Sequence, residues 1–311
     1  MQEKPRLAVT VGDPRGIGAE IIAGALRDAR TTDAARYVVV GPSGAQVTPD
    51  VVIGAWDGSG DPSKAGRMAG LAIERAVALA LAGAVDGIVT APLDKAALQA
   101  GGFDYPGHTE MLAALTGRPV AMMLAAVRGG AGGNPLRVVL ATTHIALREV
   151  PDAVTAEAIA GAARVTRNGL SAWFGIPEPR IALCGLNPHL GDGGRFGDED
   201  ARVLAPAAAA AGLVGPLPAD TVFVRAMRGE FDAVVAPYHD VGMTAIKVAA
   251  FGHAVNVTLG LPFPRCSPDH GTALDIAGRG IADPGSMIEA MLLCASIVRR
   301  TRRLHAVSGA T

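Results

Sequence analysis

The chain has 311 residues, half of them hydrophobic and 18% charged, with 28 basic against 29 acidic side chains and a net charge of −1. So large an apolar share excludes intrinsic disorder, and a length about twice a ~150-residue domain predicts two lobes or one large α/β unit. Near-neutral charge and an aromatic fraction of 4% speak against a nucleic-acid partner, which needs a basic field and stacking platforms.

Short β-branched runs alternate with Ala/Leu-rich amphipathic stretches, the pattern of βα units feeding a largely parallel sheet. In chain order, strands are predicted over 7–11, 37–40, 87–90, 122–127, 137–142, 181–185, 233–236 and 255–259. Helices are predicted over 17–30, 63–82, 108–115, 153–173, 199–211 and 286–303. The Gly-rich run Gly129–Gly133 reads as a hairpin or lobe-crossing loop and marks the expected boundary. One lobe is then 1–128 plus 268–311, the other 129–267. No run reaches the ~18 apolar residues that cross a bilayer, so no membrane role is expected. The segment MQEKPRLAVTVGDPRGIG has no signal-peptide apolar region. Cys184, Cys266 and Cys294 form an odd set with no CxxC pair, which points to a reducing compartment and predicts a cytoplasmic protein. Arg299, Arg300, Arg302 and Arg303 close the last helix, where positive charge complements the macrodipole.

Three histidines follow strand ends: His144 after Thr142-Thr143, His189 after Asn187-Pro188, and His239 after Pro237-Tyr238. Strand C-termini are where open α/β sheets place ligands. Three neutral imidazoles converging there make a divalent-metal site with open positions, and Asp240 is placed to orient His239 or to be a further ligand. Each histidine taken singly also suits ordinary hydrogen bonding at a strand end.

The segment Gly12-Asp13-Pro14-Arg15-Gly16-Ile17-Gly18 follows the first strand, yet its glycines are spaced GxxxGxG and no GxGxxG fingerprint exists. It reads as a tight turn and helix start, or as an anion contact at that helix N-terminus. Gly107-His108-Thr109-Glu110 opens another helix and suits an anionic group such as a phosphate, or simply caps it. Lys247, Asn256 and Arg265 are candidate substrate contacts, or singly surface charges and polar caps; Pro262 and Pro264, just before Arg265, stiffen its backbone for bidentate oxyanion binding.

The polar, Gly-rich loop from Asp269 to Gly280 resembles the cofactor loop of the metal-dependent isocitrate and isopropylmalate dehydrogenases, which wraps the adenosine half of a nicotinamide dinucleotide without a Rossmann fold. A closer resemblance runs the length of the chain. Gly12-Asp13-Pro14, Thr90-Ala91-Pro92 with Lys95, Gly107–Glu110, Thr142-Thr143-His144, Gly185–His189, Gly215-Pro216 with Ala219-Asp220-Thr221, Tyr238-His239-Asp240, Asn256 with Thr258-Leu259-Gly260 and the loop from Asp269 together resemble the 4-hydroxythreonine-4-phosphate dehydrogenase family.

That resemblance implies a two-lobed α/β/α fold of the isocitrate/isopropylmalate dehydrogenase type, not a Rossmann fold. The cofactor loop then belongs to the first lobe, and metal and dimer contacts to the second. It implies NAD and a divalent metal (Zn2+, Mg2+, Mn2+ or Co2+) held by His144, His189 and His239, with His239 reaching the site from the partner of a homodimer. His108, Thr109, Lys247, Asn256 and Arg265 would contact the substrate, and His270, Gly271, Thr272, Ala273 and Asp275 the dinucleotide. Asp275, at a position that meets the adenine ribose hydroxyls in the related dehydrogenases, implies NAD over NADP. The implied reaction is oxidation of 4-phosphooxy-L-threonine with loss of CO2 to 3-amino-2-oxopropyl phosphate, in vitamin B6 biosynthesis, with Lys247 and Asp220 as base candidates. The chain departs from the family pattern at Val241, where Gln is usual, at Asp94, and in a short segment 31–62. A dehydrogenase of phosphorylated erythronate or threonate, and a non-catalytic sensor of phosphorylated ligands, are the alternatives.

Overall fold

The structure is a computed structural model and describes residues 3–126, 133–250 and 252–308. Its strands are β1 (Arg6–Thr10), β2 (Arg36–Ser43), β3 (Val51–Ala55), β4 (Gly87–Thr90), β5 (Ala121–Ala126), β6 (Arg137–Leu140), β7 (Ile181–Cys184), β8 (Val214–Leu217), β9 (Ala233–Ala236), β10 (Ala254–Leu259) and β11 (Arg265–Pro268). Its helices are α1 (Gly18–Arg27), α2 (Ala29–Ala34), α3 (Pro62–Leu81), α4 (Lys95–Ala100), α5 (His108–Thr116), α6 (Val150–Ala153), α7 (Ala156–Phe174), α8 (Ala205–Ala211), α9 (Ala219–Met227), α10 (His239–Ala250) and α11 (Gly285–Ser308).

Two compact units form, Met1–Arg118 with Val255–Thr311, and Pro119–Ala254. In the first the strand order is β3-β2-β1-β4-β11-β10, parallel except for β10 against β11. In the second it is β5-β6-β9-β7-β8, parallel except for β5 against β6. Strands β4, β7 and β9 are buried at every residue, which is why they read as unbroken apolar runs rather than as alternations.

Helix starts follow local chemistry. Asp61 accepts the Ser63 and Lys64 amides ahead of Pro62 at the start of α3, and Thr155 caps α7, whose C-cap Gly175 takes the left-handed φ of 68°. Asp94 accepts the Ala97 amide at 2.7 Å and so caps α4. The helix predicted over 17–30 breaks at Asp28, whose extended backbone and side chain cap α2 instead. The helix predicted over 199–211 is a π-helical turn at Asp200–Leu204 running into α8.

The units divide elsewhere than at 128/129 and 267/268. Strand β5 pairs with β6 and so falls in the second unit, whereas β11 pairs with β4 and falls in the first. Of the Gly-rich run, Gly129–Gly132 lies outside the described residues. Elements absent from the sequence reading are β3, β8, β11, α2, α4, α6, α9 and α10. For α10 the cause is Gly242, which looks like a helix breaker but lets the helix lie on the sheet; a Cβ there would meet Leu140 Cδ2 at 2.8 Å and Val138 Cγ1 at 2.9 Å.

Candidate active site

In the first unit, a polar stripe crosses one face of an otherwise apolar sheet. Alternation along β10 puts Asn256 and Thr258 on the same side, and the register with β11 sets Thr258 opposite Arg265 and Asn256 opposite Ser267. Parallel β1 and β4 bring Thr10 opposite Thr90. Arg265 is 2% exposed and gives its N–H groups to hydroxyls: Nε and Nη2 to Thr90 Oγ1 at 3.1 and 2.5 Å, and Nη1 to Thr258 Oγ1 at 3.0 Å. Burial pulls the guanidinium down to about 10, so it stays charged at neutral pH.

His108, the first residue of α5, carries a buried Nε2 with no hydrogen-bond partner, as does the buried Oδ1 of Asn256. Burial first, then repulsion from Arg265 and Lys95, holds the His108 imidazole well below 6.5, so it is neutral at pH 7. The stripe thus combines a buried cation, a neutral imidazole, an amide and the N-terminal amides of a nine-residue helix whose second residue is Thr109. Those are the elements of an anion pocket.

The loop from Asp269 packs on the N-terminal turn. Ile17 N–H donates to the Thr272 carbonyl at 3.0 Å, and Gly16 permits that approach, since a Cβ there would meet Thr272 O at 2.8 Å. Further along, the Ala282 amide donates to Glu20 Oε1 at 2.9 Å. Arg15 closes its own ion pair with buried Asp13 at 2.7 Å. On the loop, Ala273 adopts the left-handed region at φ 44°, His270 Nδ1–H donates to the Gly271 carbonyl at 3.0 Å, Gly271 is exposed, and the Asp275 carboxylate is exposed.

In the second unit, β6, β9 and β7 are neighbours, so the histidines beyond their C-terminal ends are neighbours by topology. Thr142 Oγ1 donates to the Pro237 carbonyl at 2.8 Å and ties two of those ends together. The His144 and His239 ring centroids lie 5.5 Å apart, within one chain. Both rings line a cavity of about 230 Å³ with Thr143, Tyr238 and Asp240. His239 Nδ1 sits 2.7 Å from Asp240 Oδ1, which fixes its tautomer and leaves Nε2 as a lone-pair donor.

His189 lies on a run of six residues, 189–194, all with positive φ, and is itself at φ 51°. Buried Asp200 braces the start of this loop by accepting the Leu186 and Asn187 amides at 2.8 and 2.9 Å, and Glu199 accepts from Asn187 Nδ2 at 2.7 Å. Among the described residues no three His, Cys, Asp or Glu side chains are gathered to hold a metal within one chain, so the expected triad of His144, His189 and His239 is not assembled in it. The donor set nonetheless suits a divalent cation: two imidazoles side by side, one with its second nitrogen held by a carboxylate.

Asp220 is exposed in the first turn of α9 and borders an apolar groove of about 590 Å³ with Tyr238, Asp240 and Val241. Lys247 is half-buried on α10, eight residues beyond His239. The three cysteines are buried and free of disulfides, and burial pushes Cys184 up to about 12. The sequence reading missed Thr90 and Thr258 as holders of Arg265, and Asp200 as the brace. A threonine ending an apolar strand was the available signal, but threonine is also an ordinary strand residue.

The protein family described as pyridoxal phosphate biosynthetic protein PdxA matches residues 19–294. A 4-hydroxythreonine-4-phosphate dehydrogenase of Geobacter metallireducens is 43% identical, covering 95% of this chain and 96% of its own. Its counterpart in Caulobacter vibrioides is 43% identical over 96% of this chain and 99% of its own. The crystal structure of a 4-hydroxythreonine-4-phosphate dehydrogenase from Klebsiella pneumoniae, 40% identical, superposes with a TM-score of 0.79 over 95% of this chain and all of its own. An isocitrate dehydrogenase from Methylococcus capsulatus, at 16% identity and a TM-score of 0.53 over 97% of this chain and 89% of its own, shares the fold alone. Among the described residues no helix is long and apolar enough to cross a membrane. The chain belongs to the PdxA family of pyridoxal phosphate biosynthetic proteins.

Proposed function

We propose that this protein oxidises the secondary alcohol of 4-phosphooxy-L-threonine with NAD, giving a β-keto acid that loses CO2 to form 3-amino-2-oxopropyl phosphate. The observation that carries the proposal is the buried Arg265, whose hydrogen bonds go to neutral hydroxyls and not to a carboxylate, beside the orphaned His108 Nε2 and Asn256 Oδ1. A buried cation with no carboxylate hydrogen-bonded to it, and with Glu110 acting on it only through space, is costly, and a phosphate ester supplies the missing contact charge. Relatives in the family carry the name of this reaction.

Arg265, His108, Thr109 and Asn256 bind and orient the phosphorylated end, with Lys247 as a further substrate contact. His108 stays neutral there, so its ring gives or receives a hydrogen bond without adding charge. Across the homodimer, where the family resemblance has the partner's His239 complete the set, His144, His189 and His239 would hold a divalent cation, with Asp240 accepting from the His239 Nδ1–H. When bound, such a cation lowers the pKa of an alcohol and stabilises an enolate. Lys247 or Asp220 would take the hydroxyl proton, and bound NAD would supply the hydride acceptor. The loop His270–Asp275 would hold the adenosine half of NAD, the Asp275 carboxylate being the acceptor for ribose hydroxyls.

Exposed Val224 and Val248 on the α9/α10 groove support a homodimer. The sharing of a site across that dimer rests on the family resemblance; the chain's own His239 already lies beside its own His144. The three buried cysteines, free of disulfides, suit a reducing compartment and support a cytoplasmic enzyme. The test is NADH formation with 4-phosphooxy-L-threonine, phosphoerythronate and phosphothreonate side by side. Preference for the first is expected; preference for either acid lacking the amine shifts the substrate, and tight binding with no NADH from any of them indicates a sensor.

A further inference from the structure

Arg265 has five N–H donors, and three are engaged by Thr90 Oγ1 and Thr258 Oγ1. The remaining two sit one on each terminal nitrogen. Both threonines are completely buried, and neither can neutralise the guanidinium. A carboxylate at either place would fix Arg265 equally well and cancel its charge; a hydroxyl fixes it and leaves the full positive charge for a ligand.

We infer that Thr90 and Thr258 are positioning residues that clamp the Arg265 guanidinium in a charged, forward-facing state for a phosphate monoester. This rests on the reading of the stripe as the anion pocket. Thr90 carries more of the task because a single hydroxyl oxygen accepts from two nitrogens, Nε and Nη2, which fixes both the tilt and the rotation of the planar group. Thr258, directly across the β10–β11 ladder from Arg265, holds the other terminal nitrogen. The strand ladder sets both distances, so the clamp is built before any ligand arrives.

The test is calorimetric titration of the full chain with inorganic phosphate, on wild type, Thr90→Val, Thr90→Ser and Thr258→Val, with thermal melting of each. Thr90→Val, nearly isosteric but without the acceptor, is expected to bind phosphate about tenfold more weakly, the equivalent of ~1.4 kcal/mol. Thr90→Ser, which restores the oxygen, is expected within about twofold of wild type, and Thr258→Val about threefold weaker. In turnover the Thr90→Val loss is expected in KM, with kcat largely kept, because phosphate binding is shared by ground and transition states.

Wild-type phosphate affinity in a folded Thr90→Val protein overturns the inference, as does an equal loss in Thr90→Ser, which would point to packing and not to the hydroxyl. Should Thr90→Val not fold, Thr258→Val and Thr90→Ser decide by the same measure: unchanged binding in Thr258→Val, or loss in Thr90→Ser, overturns it. No phosphate binding by the wild type overturns the reading of the pocket itself, a distinct failure.

Discussion

The Nδ1 atom of His239 lies 2.7 Å from the carboxylate of Asp240, the next residue in the chain, while the ring stands 5.5 Å from that of His144. The carboxylate accepts a hydrogen bond from Nδ1–H, and in the proposed metal site this leaves Nε2 to face the cation. Replacing Asp240 with Ala is expected to weaken divalent-metal binding by about 10- to 100-fold, read by titrating chelator-stripped protein with Zn2+. Turnover is expected to vanish on exhaustive chelation and to return with Zn2+, Mg2+, Mn2+ or Co2+. Full activity after metal stripping would remove the cation from the reaction.

Protonation of His108 is disfavoured in the folded protein by burial and by Arg265 and Lys95. Its folded pKa lies below its unfolded value of about 6.5, so the unfolded chain binds the proton first as pH falls. Stability from this residue is therefore complete above about pH 6.5 and declines as pH drops through that value toward the lower folded pKa. Denaturant titrations of wild type and His108→Asn between pH 7.5 and 5 should differ in slope, with the variant flatter. Equal slopes would contradict a neutral, enclosed ring.

The exposed Asp275 carboxylate sits on a loop that Ile17 and Gly16 hold in place. Accepting hydrogen bonds from a diol and repelling a phosphate, it is expected to favour NAD over NADP by at least about tenfold in kcat/KM, worth ~1.4 kcal/mol. Asp275→Ala should narrow that ratio. Comparable kcat/KM for the two dinucleotides in the wild type would refute the assignment.

Close helix packing also fixes the frame around the pocket. A Cβ on Gly66 of α3 would lie 1.7 Å from the Ala97 carbonyl oxygen of α4, a backbone atom that cannot step aside without moving the helix. Gly66→Ala is expected to cost about 1 to 3 kcal/mol or more and to lower the melting temperature by several degrees. An unchanged melting curve would show that α3 and α4 do not touch at this point.

What the sequence made legible follows from where the physics is local. Runs such as Gly87–Thr90 and Ala233–Ala236 are buried at every residue, so their apolar signal survives without knowing the partners. Histidines three to five residues beyond three such runs were readable as a group because parallel neighbours end on one side. What stayed hidden depends on pairing and packing. Arg265 looked like a residue stiffened by the prolines before it, and is in fact the first residue of β11, whose register with β10 and β4 decides what it touches. The unit boundaries likewise follow strand pairing and not the glycine run. Asp200 is 14 residues from the amide it braces at Leu186, a spacing no local pattern reveals.

The most direct measurement is the stoichiometry of a single reaction: NADH formed and CO2 released per 4-phosphooxy-L-threonine consumed by the metal-loaded protein. One of each per substrate is expected, with both lost in Arg265→Ala at substrate concentrations that saturate the wild type. Consumption without NADH, or no consumption despite tight binding, would contradict an oxidative role for this chain.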